Sequence, residues 1–101
     1  MSPATTVLLP AYEAAATLGA AIASVLAQTD PDFELLVVDD GSTDQPAIPS
    51  DPRIRVLRLP HGGIVAALNA GLTEARGRFI ARMDADDLMR PRPLALQRAR
   101  L

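Results

Sequence analysis

Phe79-Ile80-Ala81-Arg82-Met83-Asp84-Ala85-Asp86-Asp87 is an apolar run that ends in three carboxylates within four residues. Such a cluster repels itself unless a cation sits in it. Carboxylate oxygens are the hard ligands that Mg²⁺ and Mn²⁺ prefer, and both ions complete their shells with phosphate oxygens and water. Residues two apart in extended chain point the same way, so Asp84 and Asp86 can share one ion while Asp87 faces elsewhere. The spacing suggests a metal and diphosphate site at the C-terminal end of a strand. A short acidic run is also a common solvated turn, so the surrounding chain has to decide between the two.

Upstream, Val65, Leu68, Leu72 and Ala75 repeat at helical spacing and mark a helix from about Ile64 to Ala75 that ends near Gly77. Before it, His61-Gly62-Gly63 is a loop in which a lone His is expected to be solvated. Ile54 to Leu59 is bounded by prolines and reads as a strand nearer the sheet edge. Pro46, Pro49 and Pro52 leave room for one helical turn at most between Thr43 and Pro52. Phe33 to Val38 is a buried strand that ends on Asp39-Asp40-Gly41-Ser42.

Closer to the start, Leu18, Ile22, Val25 and Leu26 form one apolar stripe and predict a helix from about Ala14 to Ala27. Thr5 to Leu9 is a β-branched and apolar strand stopped by Pro10, with a loop over Pro10, Ala11, Tyr12 and Glu13. Downstream of the acidic run, Pro91 and Pro93 introduce a last helix over Leu94 to Leu101.

The order β-α-β-β-α-β specifies an α/β fold, a mostly parallel four-stranded Rossmann-like sheet with flanking helices and right-handed crossovers. In such sheets ligands lie outside the carboxyl ends of the strands, where strand order reverses. The rule brings together the loops Pro10 to Glu13, Asp39 to Ser42 and Asp84 to Asp87. Half of the twelve acidic residues, Asp39, Asp40, Asp44, Asp84, Asp86 and Asp87, fall in or beside two of them. A carboxylate away from the metal suits a base N–H or a sugar hydroxyl: Asp40 can read a base, and Asp39 can satisfy backbone donors of the turn. Tyr12 offers a flat face to a planar ligand, or else covers the sheet edge. Arg82 either neutralises the acidic pocket or makes an ordinary surface ion pair.

Composition narrows the chemistry. With 101 residues and 49% hydrophobic content the chain builds one core. A net charge of -2 gives no basic stripe for nucleic acid. All ten basic residues are Arg, which removes Schiff-base chemistry and the P-loop lysine, and the lack of Cys removes thiolate ligands and nucleophiles. No run of 18 apolar residues occurs, and a soluble, cytoplasmic chain is expected. A receiver domain is rejected by the missing Lys, an EF-hand by Met89 at its sixth position, and a dinucleotide site by the missing G-x-G-x-x-G.

Five segments in this order resemble the N-terminal half of family 2 glycosyltransferases, which have the GT-A fold: Thr6 to Glu13, Ser24 to Thr29, Phe33 to Asp44, Gly62 to Gly71, and Ala75 to Asp87. The resemblance spans nearly the whole chain. It implies that Pro10, Ala11, Tyr12 and Glu13 cup a nucleotide base, that Asp40 hydrogen-bonds a uracil-type ring, that Asp84 lies near the ribose or metal, and that Asp86 coordinates Mn²⁺ or Mg²⁺ on the diphosphate. It further implies transfer from a nucleotide-diphosphate sugar, with UDP-sugar the expected donor, to a saccharide or lipid acceptor hydroxyl with inversion. The general base belongs to a C-terminal half beyond Leu101, so residues 1–101 are expected to bind the donor. The alternative is a non-catalytic nucleotide-binding or assembly module. Two departures are visible: the Asn usual between the loop Tyr and Glu is absent, which would alter the base pocket, and the proline-rich Thr43 to Pro52 replaces a helix, which would loosen the third strand. With no later strand beside it, the Phe79 to Met83 strand is expected to support a homodimer.

Overall fold

The computed structural model describes residues 3–28, 32–44 and 48–83. These form, in order, β1 (Thr5–Ala11), α1 (Ala15–Leu26), β2 (Phe33–Asp40), β3 (Ile54–Leu59), α2 (Ile64–Glu74) and β4 (Phe79–Arg82). The strands make one sheet in the order β3-β2-β1-β4, every pair parallel. Order therefore reverses between β1 and β4, and β3 is an edge strand. Asp84, Asp86 and Asp87, and the helix expected over Leu94 to Leu101, lie outside the described residues.

The period-two alternation of strands sorts the core into two halves. Val7, Leu9 and Ala11 of β1 and Phe33, Leu35 and Val37 of β2 pack with Leu18, Ala21, Ile22 and Val25 of α1. Leu8, Leu36 and Val38 pack on the other face with Ala67 of α2. Both central strands are buried throughout, which is why their sequences read as continuous apolar runs rather than alternating ones.

Pro10 does not stop β1; it pairs with Val38, and the strand continues to Ala11. Met83 N donates to Leu8 O, so the even-numbered residues of β1 turn their ladder groups toward β4. The nitrogen of Pro10 faces that side, past the last described pairing of β1 with β4. β3 is paired along its whole length, Leu35 with Ile54 through Asp40 with Leu59, so the expected loosening is not seen. Ile48, from the proline-rich connection, packs on the α1-side core.

Of the apolar residues that mark α2, Leu68 packs against the core, but Val65 and Leu72 do not seat the helix. Val65 is 68% and Leu72 48% exposed, whereas the buried positions are Ala67 and Gly71. Small residues let the helix lie close to the sheet. A Cβ on Gly71 would fall 2.3 Å from Leu8 Cδ1, inside contact distance.

Glu34 ties the N-terminal end of the sheet together. Its carboxylate accepts Thr6 Oγ1 at 2.6 Å, Arg55 Nε at 2.8 Å and the Arg76 backbone N–H at 2.7 Å. Arg55 also donates to Glu74 O, so the end of α2 is fixed to β2 and β3. Burial raises the Glu34 pKa, but the bonds from Arg55, Thr6 and Arg76 outweigh it, and the carboxyl titrates below its ordinary value of 4.5. A depressed carboxylate stabilises the fold fully above the ordinary value, and that contribution fades as pH falls through the lower folded one. Glu34→Ala leaves a half-buried guanidinium, a hydroxyl and an amide without their acceptor. It is expected to cost about 3 kcal/mol in urea unfolding at pH 7, with the difference from wild type shrinking as the pH is lowered below 4.5.

Candidate functional site

Adjacent acidic residues at the end of β2 point to opposite faces of the sheet, and this separates their work. Asp39 lies on the α1 face, where Oδ1 accepts the Ser42 N–H at 3.0 Å and Oδ2 accepts Arg58 at 3.0 Å. Asp40 lies on the α2 face. Its Oδ1 accepts the Gly62 N–H at 2.9 Å and its Oδ2 the Gly63 N–H at 3.0 Å, with His61 Nδ1 3.0 Å from Oδ2. The Gly62 bond is the largest cause holding the Asp40 carboxyl below its ordinary 3.8; burial opposes it, and the Gly63 amide and His61 reinforce it.

Two glycines make this approach possible. Gly41 has φ +74, and a Cβ there would meet His61 N at 2.5 Å, so the position excludes a side chain both by its backbone and by space. Gly63, at φ +94, caps the N-terminus of α2 and turns its amide toward Asp40.

His61, expected to be solvated, keeps 54% of its side chain exposed but is not without partners. Its ring stacks on Tyr12 with centroids 4.1 Å apart and planes 23° off parallel, and Nδ1 lies 3.1 Å from Asp40 O. Sequence reasoning missed this because the partners are distant along the chain. The available signal was Gly62-Gly63 directly before a helix, two amides with no side chains to keep a carboxylate away.

A cleft of about 210 Å³ opens between these groups. Pro10, Ala11 and Tyr12 form one wall, Asp40 lies at the base, and His61, Gly63, Ile64 and Ala67 form the other. Pro10, Ala11, Tyr12 and Asp40 are thus brought together as their sequence positions suggested. Glu13 is not on this wall. Its Oε1 accepts Thr43 N at 2.9 Å and Thr43 Oγ1 at 2.7 Å, and its own N–H donates to Ser42 Oγ at 3.0 Å. Asp44 is likewise committed: Oδ2 accepts the Ala15 N–H at 2.9 Å and supplies the N-terminal cap that Ala14 cannot.

The Asp40 carboxylate has about four acceptor positions, and three donors occupy it here. By count, one acceptor position remains. Among the described residues no three His, Cys, Asp or Glu side chains converge as a metal site, and the described residues contain no helix long and apolar enough to cross a membrane.

Gly41→Ala is expected to push the His61 backbone off its position and to strain the turn. The loss is on the order of 2 kcal/mol, read as a fall in Tm of about 10 °C by calorimetry.

The profile of Glycosyl transferase family 2 matches residues 6–99. The UDP-Glc:alpha-D-GlcNAc-diphosphoundecaprenol beta-1,3-glucosyltransferase WfgD of Escherichia coli is 41% identical over 96 residues, covering 90% of this chain and 38% of that protein. The mannosyltransferase PcManGT of Pyrobaculum calidifontis, solved with GDP-Man and Mn²⁺, superposes with a TM-score of 0.81 at 27% identity, over 96% of this chain and 31% of that one. S. aureus TarS 1-349, solved with UDP-GlcNAc, gives a TM-score of 0.73 at 28% identity, over 83% of this chain and 27% of that one. The chain spans 10% to 38% of the length of the curated relatives named or matched here. A parallel β3-β2-β1-β4 sheet, five ordered motifs and a family match over nearly all of the sequence agree, and the chain belongs to glycosyl transferase family 2, as the N-terminal part of a GT-A fold.

Proposed function

We propose that residues 1–101 bind the nucleotide-diphosphate sugar, preferably a UDP-sugar, for a family 2 glycosyltransferase that passes the sugar to a saccharide or lipid hydroxyl with inversion. The observation that carries this is the cleft at the carboxyl ends of β1 and β2, lined by Tyr12 and by the Asp40 carboxylate that the Gly62 and Gly63 amides hold in place. Its 210 Å³ is below the roughly 300–1,000 Å³ of sites that enclose a whole drug-sized ligand. That size suits a base, with the ribose and diphosphate lying outside it.

Pro10, Ala11 and Tyr12 supply the apolar and aromatic surface that a planar ring packs on. Asp40, held anionic by Gly62 and Gly63, accepts a ring N–H. A pyrimidine presents such a donor. PcManGT carries GDP-Man, so guanine is the competing base, and it too offers ring N–H groups to a carboxylate.

Asp84 and Asp86 are the residues we assign to a divalent cation. The donor set, two carboxylates two residues apart, is of the hard-oxygen kind that Mn²⁺ and Mg²⁺ take. Asp39 is committed to Ser42 and Arg58, and the remaining acceptor capacity of Asp40 is given to the base in this reading, so neither is assigned to the cation. When bound, such an ion acts as a Lewis acid on the departing nucleoside diphosphate. Acceptor activation and the general base are assigned to residues outside this sequence, so this chain's share of the reaction is to seat and orient the donor.

Calorimetric titration of UDP and of GDP into the chain, with and without Mn²⁺, tests the reading. UDP is expected to bind in the presence of Mn²⁺, to weaken at least tenfold in Asp86→Ala, about 1.4 kcal/mol, and to bind more tightly than GDP. A folded wild type that takes up neither nucleotide under any condition would favour the assembly-module reading instead.

A further inference from the structure

Glu13 is the one residue other than glycine with a left-handed backbone among the described residues, at φ 51. A residue with a Cβ adopts that conformation when its surroundings impose it. Here every restraint comes from three consecutive residues after β2. Ser42 Oγ accepts the Glu13 N–H at 3.0 Å, Thr43 gives both its N–H and its hydroxyl to Glu13 Oε1 at 2.9 and 2.7 Å, and Asp44 accepts the Ala15 N–H at 2.9 Å. The loop that follows β1 is therefore fastened on both sides of its turn to the loop that follows β2.

The residue immediately before this fastening is Tyr12, the ring that walls the cleft and stacks on His61. Tyr12 is 48% exposed, so core packing alone does not fix it. We propose that Glu13 is a positioning residue: it does not touch the donor but latches the β1 loop to Ser42 and Thr43, so that Tyr12 stands against His61 before a uridine nucleotide arrives. The importance of the latch for binding rests on the nucleotide-seat reading above. A ring ordered in advance spares the binding step the cost of ordering it. Oε1 is committed to its two Thr43 donors, and Oε2 keeps acceptor positions of its own, so the variants below separate a latch from a direct contact with the ligand.

Tyr12 is the only Tyr and the chain has no Trp, so tyrosine fluorescence reports this one ring without any ligand. Anisotropy, nuclear Overhauser contacts between the Tyr12 and His61 rings, and UDP titration with Mn²⁺ are measured on wild type, Glu13→Gln, Glu13→Ala and Glu13→Gly. Glu13→Gln keeps an acceptor for Thr43 and is expected to match wild type in all three. Glu13→Ala is expected to lower the anisotropy, lose the ring contacts and weaken UDP about tenfold, with far-ultraviolet circular dichroism unchanged. Glu13→Gly relieves the backbone, so it folds even if the alanine variant does not, and it is expected to show the same loosening. Unchanged anisotropy and ring contacts in Glu13→Gly overturn the latch. So does a Glu13→Gln variant that loses UDP affinity with Tyr12 still fixed, because the carboxylate then acts on the ligand itself. If wild type binds no UDP, the nucleotide-seat reading falls, while the ligand-free Tyr12 measurements still decide the latch.

Discussion

Two carboxylates of β2 hold α2 to the sheet, one at each end of the helix, and the cleft depends on both. Asp40 takes the amides of Gly62 and Gly63 before the helix, and Glu34 takes the amide of Arg76 after it. The two acids are six positions apart along the strand, about 20 Å. The eleven residues of α2 span about 17 Å, so the two clamps meet the helix at its two ends. Both acids are even-numbered and therefore on the same face of β2. Between the clamps, Gly71 and Ala67 let the helix press onto Leu8 and Val38. The backbone donors that flank the helix are thus paired with acceptors that also locate it.

The clamp at Asp40 is what makes a ligand site out of a strand end. Pulling the loop between β3 and α2 onto β2 brings His61 against Tyr12 and closes the far wall of the cleft. On the opposite face, Asp39 holds Ser42 and Arg58, and Ser42, Thr43 and Asp44 in turn hold the loop that carries Tyr12. Much of the acidic character concentrated near the end of β2 is thus spent on protein donors. That leaves Asp84 and Asp86 as the carboxylates assigned to a cation.

The sheet was legible because its cause is local. Buried parallel strands are near-continuous apolar runs, and Thr5 to Leu9 and Phe33 to Val38 could be read as such, while the proline-bounded mixture of Ile54 to Leu59 marked a strand nearer the sheet edge. The extension of β1 through Pro10 was not, because whether a missing N–H matters depends on which neighbour that residue faces. The face of α2 was not legible for a related reason. Val65 and Leu72 are the conspicuous hydrophobes, but close approach to Leu8 favours residues with little or no side chain. In the site, Pro10, Ala11, Tyr12 and Asp40 were placed by the rule that strand ends gather ligands. The bracing role of Glu13 and the stacking of His61 join residues 20 to 50 positions apart, and no periodicity or spacing encodes such pairs.

The two-ended clamp is tested most directly by following the backbone amide resonances of Gly62, Gly63 and Arg76 through an acid titration of the folded chain. An amide that donates to a carboxylate shifts when that carboxylate takes its proton. Gly62 and Gly63 are predicted to titrate together, with one midpoint below the ordinary 3.8 of Asp, and Arg76 with a midpoint below the ordinary 4.5 of Glu. Amides that stay flat across this range, or that follow carboxyls of ordinary pKa, would contradict the clamp and with it the account of how the cleft is built.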